Sequence, residues 1–395
     1  MAGKIPGGRN QDLELGGSMV ITFVIDMYDV KKNGTTMTAQ RFAHYLQQLG
    51  HEIRVVSTGD PGPGKYPVPQ WKIPIVQHFS SKQSFIIAKP DDEQIRRAIE
   101  GSDLVHLFLP FPLEVRAYHI AREMGIPCSA AFHLQPENIT YNIHMGRWRG
   151  LSDFVYYLFR EYFYKNFEHI HCPSYFMAEQ LKAHGYKAKL HVISNGIIPE
   201  FCPGQATRQD ELIHILMVGR LSPEKRQDLL IKAAGMSRHA EKIQLHFAGS
   251  GPWKQMLAHR GKKLKHPPVF GFYSKPELIE LIRSCDLYVH ASDAESEAIA
   301  CLEAIACGLV PVISDSKLSA TGQFALDERS LFHAGDAASL AEQIDYWIDH
   351  PEEKARMSSE YAKSTEKYRI EHCVREAETM FEEAVRDARG TGRPA

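Results

Sequence analysis

The sequence predicts an α/β protein of two Rossmann-like domains that face each other across a cleft. Three observations predict it. Short apolar runs alternate with amphipathic segments along nearly the whole chain. The alternation pauses at Gly196–Asp210, a stretch rich in Gly, Pro and polar residues, and then restarts. The chain has 395 residues, 44% hydrophobic and 24% charged, which suffices for two separate cores.

The elements follow in order. Residues 1–18 are polar and glycine-rich and read as a disordered leader, with Met19 as the expected natural start. Met19–Asp26 is a continuous apolar run, the pattern of a buried strand. Thr38–Leu49 reads as a helix with Phe42, Tyr45, Leu46 and Leu49 on one face, ended by Gly50. Ile53–Ser57, Asp103–Leu109, Cys128–His133, Ile170–Pro173 and His191–Ser194 read as further strands. After the pause, strands are expected at Ile213–Val218, Ile243–Ala248, Val269–Phe272, Leu287–His290 and Val310–Ser314. Helices fall between them at Gln227–Gly235, Trp253–His259, Lys275–Ser284 and Ala298–Ala306, and Ala337–Val385 is largely helical. Strand–helix alternation gives parallel sheets, whose ligands bind beyond the carboxyl ends of the strands. The expected division is a domain at 19–195, a linker at 196–210, a domain at 211–365, and a helix at 366–395 returning to the first domain before a loose tail.

Composition argues against several classes. There are 46 Lys and Arg against 48 Asp and Glu, a net charge of -2, so no nucleic-acid partner is expected. The seven cysteines form no C-x-x-C pair and are odd in number, which speaks against a zinc site or disulfide framework and for a reducing, cytoplasmic setting. No run of about 18 apolar residues occurs, so no membrane-spanning helix is expected. The loop after the first strand, Lys31-Lys32-Asn33-Gly34-Thr35-Thr36, lacks the G-x-G-x-x-G fingerprint of nicotinamide enzymes. Gly34 would still let backbone amides approach a ligand, although an ordinary turn has the same pattern.

Three segments of the second half carry the chemistry. Gly219-Arg220-Leu221-Ser222-Pro223-Glu224-Lys225 follows a strand, and its two cations, five residues apart, suit a diphosphate clamp or a solvated loop. Gly249-Ser250-Gly251-Pro252 offers space beside the backbone, as turns also do. In Glu295-Ser296-Glu297-Ala298-Ile299-Ala300-Cys301-Leu302-Glu303, Glu303 sits in a run otherwise small or apolar. A carboxylate there needs a ligand or an ion-pair partner. A fully helical span would put Glu295 and Glu303 about 12 Å apart along the axis.

As an ordered set these motifs resemble the family-4 retaining glycosyltransferases, which have the GT-B architecture. Glu295, seven residues, Glu303 and then Ala304-Ile305-Ala306-Cys307-Gly308 matches the family's hallmark. Gly219-Arg220 with Lys225, Gly249-Ser250-Gly251-Pro252 and Ser194-Asn195-Gly196 fall where the family places them. The resemblance implies that Arg220 and Lys225 bind the donor diphosphate, that Glu303 holds the ribose and that Glu295 contacts the donor sugar. It places Gly34, Gly219, Gly249, Gly251 and the amides of Ala298 and Ile299 at the donor. It makes His133 the histidine near the transferred sugar, and His133, Glu295, Arg220 and Lys225 the catalytic set. It makes 19–195 the acceptor-binding domain and 211–365 the nucleotide-sugar domain. No metal and no cofactor beyond the nucleotide sugar are implied. Ser296-Glu297-Ala298 departs from the family, which commonly carries glycines and an aromatic there.

The expected reaction is hexose transfer from a UDP-glucose-like donor to a lipid or glycan acceptor. Removing Lys225 is expected to cost turnover and to spare the fold. The segment His133-Leu134-Gln135-Pro136-Glu137 and the aromatic stretch after Arg147-Trp148-Arg149 resemble bacterial lipid glycosyltransferases that act on diacylglycerol. That stretch holds Phe154, Tyr156, Tyr157, Phe159, Tyr162, Phe163, Tyr164 and Phe167, which suits either a core helix or an anionic membrane surface. Peripheral attachment at the inner membrane face is the expectation. A nucleotide-sugar epimerase and a non-catalytic nucleotide-sugar-binding protein remain as alternatives.

Overall fold

The apolar runs become strands because they are buried on both faces. Seven of them form the first sheet: β1 (Val20–Val24), β2 (Glu52–Ser57), β3 (Lys65–Pro67), β4 (Leu104–Leu107), β5 (Cys128–Ala131), β6 (His169–Cys172) and β7 (Lys189–Val192). The structure is a computed structural model that describes residues 17–30, 34–71, 86–142, 149–205, 208 and 210–390. Most of the expected leader, the loop residues Lys31–Asn33, Arg147 and Trp148, and the end of the tail lie outside the described residues.

The first sheet is parallel throughout, in the order β3-β2-β1-β4-β5-β6-β7. The second is also parallel, in the order β10-β9-β8-β11-β13-β15. Its strands are β8 (Ile213–Val218), β9 (Ile243–Ala248), β10 (Val269–Gly271), β11 (Leu287–His290), β13 (Pro311–Ser314) and β15 (Leu331–Phe332). In both sheets the order reverses beside the first strand, between β1 and β4 and between β8 and β11. A crevice opens at such a reversal, because the flanking connections leave on opposite faces.

Three elements differ from their sequence pattern. The first helix spans Gly34–Gln48 and so begins before Thr38. Gly and Thr are weak helix formers, but side-chain bonds secure this turn: Thr38 Oγ1 donates to Gly34 O at 3.0 Å and Thr36 Oγ1 to Met27 O. Gly34 is thus the first helical residue rather than part of a loop.

Glu295 is not helical. With Ala294 it forms a short strand, β12, beside Leu318–Ser319, β14. The helix starts only at Ile299, because Ala298 is left-handed with φ 71°. The axial span of one continuous helix therefore does not apply.

The aromatic stretch divides. Tyr156, Phe163, Tyr164 and Phe167 enter the first core, where Tyr164 Oη donates to Ala131 O at 2.9 Å. Phe154, Tyr157, Leu158 and Tyr162 stay exposed on the helix Arg149–Tyr162.

The last helix, Ile370–Gly390, packs against the first sheet. Its apolar positions recur at three and four residues: Ile370, Cys373, Val374, Ala377, Phe381, Ala384 and Val385 are all buried. Phe381 lies 5.0 Å from the His106 ring and 6.4 Å from that of Phe23. His51 Nε2 meets Glu378 at 2.8 Å and Lys189 pairs with Glu383. To reach this position the chain passes back beside its first crossing between the sheets. Ile197 N donates to Tyr368 O at 2.7 Å, and Ile370 N donates to Ile197 O at 3.0 Å. Gly196 is required there, because a Cβ would lie 2.4 Å from Ile370 Cδ1. Among the described residues no helix is long and apolar enough to cross a membrane.

Phe381→Ala should remove the main apolar anchor of this helix and destabilise the protein by about 3–5 kcal/mol. Urea unfolding followed by far-UV circular dichroism checks it; a loss below about 1 kcal/mol would mean the helix docks by its polar contacts instead.

Candidate active site

Two loops meet at the reversal point of the second sheet. One follows β8 and carries Gly219 to Arg226; the other follows β11 and carries Ala291 to Ala298. Asp293 N donates to Glu224 O at 2.8 Å and ties the loops together. Arg226 Nη1 reaches Asp293 at 3.0 and 3.1 Å. Between the loops the Lys225 ammonium pairs with Glu295, which also accepts from His290 Nε2 at 2.9 Å. Burial alone would raise the Glu295 carboxyl, but Lys225 and His290 outweigh it and hold it below the usual carboxylate range. Lys225 is thus a partly buried cation with a fixed counter-charge between the two loops. Arg220 is half-buried on the same loop, and its carbonyl accepts from Gln227 Nε2 at 2.7 Å.

The glycines of the β9 loop also have a basis in packing. A Cβ on Gly249 would fall 1.9 Å from Gly219 O, and one on Gly251 would fall 2.3 Å from Leu221 O. The two loops pack backbone to backbone. Gly249 also faces the cavity described below, while Gly251 packs on the Leu221 backbone outside its walls.

The helix Ile299–Ala306 points its start at the same region. Its N-cap, Ala298, has no side chain to cap the first turn, where Cys301 N donates to Ala298 O at 2.9 Å. Ala in the left-handed region costs on the order of 1 kcal/mol, and this is the position at which the departure from the family's glycines falls.

Glu303 lies one turn further into this helix and is 6% exposed. It faces the first domain. Arg41 Nη2 donates to Glu303 Oε1 at 2.8 Å, and Arg41 Nη1 donates to Gly196 O at 3.0 Å. Burial pushes the Glu303 carboxyl up, and Arg41 pulls against it. The pair borders a cavity of about 540 Å³ between the domains. Gly34, Arg41 and Tyr45 from the first helix, Gly249, and Tyr273, Lys275, Ile299 and Glu303 share its walls. That volume is in the range of small-ligand sites. Arg220, Lys225, Glu295 and His133 are not among its walls, so the cavity and the Lys225–Glu295 pair are two parts of the site.

His133 follows β5. It is half-buried, its Nε2 is enclosed without a hydrogen-bond partner, and its ring lies 5.0 Å from that of His171. Burial, then His171 and His106, hold its imidazole well below the usual pKa, so it is neutral. Around it the first domain touches the second. Gln135 Nε2 donates to Leu318 O at 2.9 Å, Tyr141 Oη meets Asp293 at 3.4 Å, and Ser174 Oγ donates to Ser296 O at 2.6 Å.

Sequence reasoning missed Arg41 and the role of Glu297. Glu297 is 2% exposed and accepts from Ser194 Oγ and, at 3.1 Å, from Asn195 N. It is an interdomain tie. Burial raises its carboxyl to about 7 despite these donors.

Against this geometry the comparisons are specific. The sequence pattern of the glycosyl transferases group 1 family matches residues 203–365, and that of glycosyltransferase family 4 matches residues 32–201. The chain belongs to this family of glycosyltransferases and has the GT-B fold. Among proteins of known activity, it is 25% identical over 317 residues to the alpha-monoglucosyldiacylglycerol synthase of Streptococcus pneumoniae, across 75% of this chain and 71% of that one. HepE from Anabaena, solved with UDP and glucose, superposes with a TM-score of 0.69 at 16% identity, over 92% of this chain and 100% of that one. The catalytic domain of the cholesterol-alpha-glucosyltransferase from Helicobacter pylori is 50% identical, with a TM-score of 0.39, over 40% of this chain and 98% of its own.

The Glu297 carboxyl makes a signed prediction. The folded state holds a proton that an unfolded Glu, at its ordinary value of 4.5, has released, up to about pH 7. Stability should therefore fall as pH rises through that window, by roughly 3 kcal/mol from this group. Glu297→Gln should flatten the profile between those limits relative to the parent. Identical pH profiles of urea midpoints for parent and variant would refute the assignment.

Proposed function

We propose that the protein is a retaining hexosyltransferase that moves a hexose from a UDP-glucose-like donor to a lipid acceptor, diacylglycerol first, at the inner face of the membrane. The observation that carries this reading is the Lys225–Glu295 pair at the reversal point of the second sheet, beside an uncapped helix start. A diphosphate placed there would receive the Lys225 ammonium, the Arg220 guanidinium and the first amides of the helix 299–306. Glu303 would accept the ribose hydroxyls, sharing its carboxylate with Arg41. As the bond from the sugar C1 to the diphosphate breaks, C1 becomes oxocarbenium-like and charge gathers on the leaving oxygens. Groups already fixed around those oxygens stabilise that charge without reorganising. Neutral His133 would act from the first domain, beside the contacts that join it to the second, and Glu295 would keep Lys225 in place. No metal enters this scheme.

The lipid acceptor is supported by the Streptococcus relative's own product and by the surface of the helix Arg149–Tyr162. Phe154, Tyr157, Leu158 and Tyr162 form one exposed face, and the Arg160 guanidinium lies 5.5 Å from the Tyr157 ring centre. Rings edged by cations suit a bilayer interface.

Lys225→Ala should lower kcat by about 10²–10³-fold. The same change strands Glu295 with His290 alone, so it also costs stability, contrary to the simple expectation from sequence. Lys225→Arg keeps the counter-charge and separates the two effects. Near-parental kcat in folded Lys225→Ala, measured with UDP-glucose and a panel of diacylglycerol, a sterol and a soluble glycan, removes the clamp. Donor turnover without any acceptor would instead indicate an epimerase.

Replacing Phe154, Tyr157 and Tyr162 together with Ser should weaken flotation with anionic liposomes by about tenfold or more. Equal flotation of parent and variant, or none for either, rejects this face as the membrane contact.

A further inference from the structure

One cluster of the first sheet has no part in the chemistry above. Strands β6 and β7 pair in parallel, with His169 opposite Lys189 and His171 opposite His191. Alternation puts His169 and His191 on one face of the sheet. The last helix covers that face and sends down Glu383 and Asp387, one turn apart. Among the described residues, His169, His191 and Glu383 are a group of donors whose ligand atoms lie within 4.8 Å of one another.

The hydrogen bonds set the chemistry of the group. His169 Nε2 meets the Asp387 carboxylate at 3.1 Å, so the ring proton sits on Nε2 and Nδ1 is the accepting nitrogen. That nitrogen faces His191 Nε2 at 3.0 Å. Two imidazole nitrogens on one tetrahedral Zn²⁺ are roughly 3.3 Å apart, given Zn–N bonds of about 2.0–2.1 Å. The separation needs little change. A ligating His whose other nitrogen donates to a carboxylate is the usual arrangement around zinc.

We propose that His169 Nδ1, His191 Nε2 and Glu383 bind a zinc ion that fastens the last helix to β6 and β7, with Asp387 positioning His169. Lys189 pairs with Glu383 at present but is half-exposed, and on metal binding it turns to solvent. On binding, the single ring proton of neutral His191 moves from Nε2, where it now faces His169 Nδ1, to Nδ1 by exchange through solvent, which leaves the Nε2 lone pair for the metal. Water completes the fourth position.

The second sheet supplies an internal control. His214 Nδ1 meets His246 Nε2 at 2.7 Å and His214 Nε2 meets Asp210 at 3.1 Å, the same pairing without a converging third donor among the described residues. Titrating Zn²⁺ calorimetrically into the EDTA-treated full chain should show about one equivalent, and Zn²⁺ should raise Tm. His191→Ala should abolish both effects, Asp387→Asn should weaken binding about 10–100-fold, and His246→Ala should leave it unchanged. Should His191→Ala not fold, Asp387→Asn decides, because that carboxylate is largely solvent-facing. No binding by the parent, undiminished binding by Asp387→Asn, or loss of binding in His246→Ala overturns the site.

Discussion

A cation held out of water beside a carboxylate organises this protein. Lys225 and Glu295 come from loops on the two sides of the reversal in the second sheet, and neither charge would be tolerable alone at that depth. Each therefore dictates the other's loop. The backbone bond from Asp293 to Glu224 and the Arg226–Asp293 pair repeat the same tie. The stacking of Gly249 and Gly251 on Gly219 and Leu221 then fixes the first loop from its other side. The result is a pair of loops held together by ion pairs and backbone contacts. That is the condition for electrostatic stabilisation of a leaving group.

The same economy governs the contact between the domains. Two carboxylates of the second domain find partners in the first: Glu303 with Arg41, and Glu297 with Ser194 and Asn195. A nucleotide that takes Glu303 must share it with Arg41 or displace Arg41. Binding and the interdomain contact thus draw on one set of groups, and the energy of one is not independent of the other.

Strands and the motif-bearing loops were legible in the sequence because burial on both faces leaves continuous apolar runs, as in β8, β9 and β11. Glu303 stood out because a carboxylate among small apolar residues demands a reason. Other features left no local trace. Arg41 sits in a helix whose pattern looks like an ordinary solvated face, and its partner is 262 positions away. The left-handed Ala298 is invisible where glycine would have signalled it, so the expected helix began one residue early, at Ala298 instead of Ile299. Gly251 looked like a ligand glycine, and its packing on the folded neighbour Leu221 had no local sign. His169, His191 and Glu383 are brought together by the return of the last helix, and no spacing in the sequence announces such a group.

That return has a mechanical consequence. The chain passes between the domains twice, at Ile197 and at Tyr368–Ile370, and the two passages are hydrogen-bonded side by side. A single tether would let one lobe swivel freely about the other. A pair of adjacent pins resists twist, and the Arg41 end of the cleft sits beside them, because Arg41 donates to Gly196 O at the first passage.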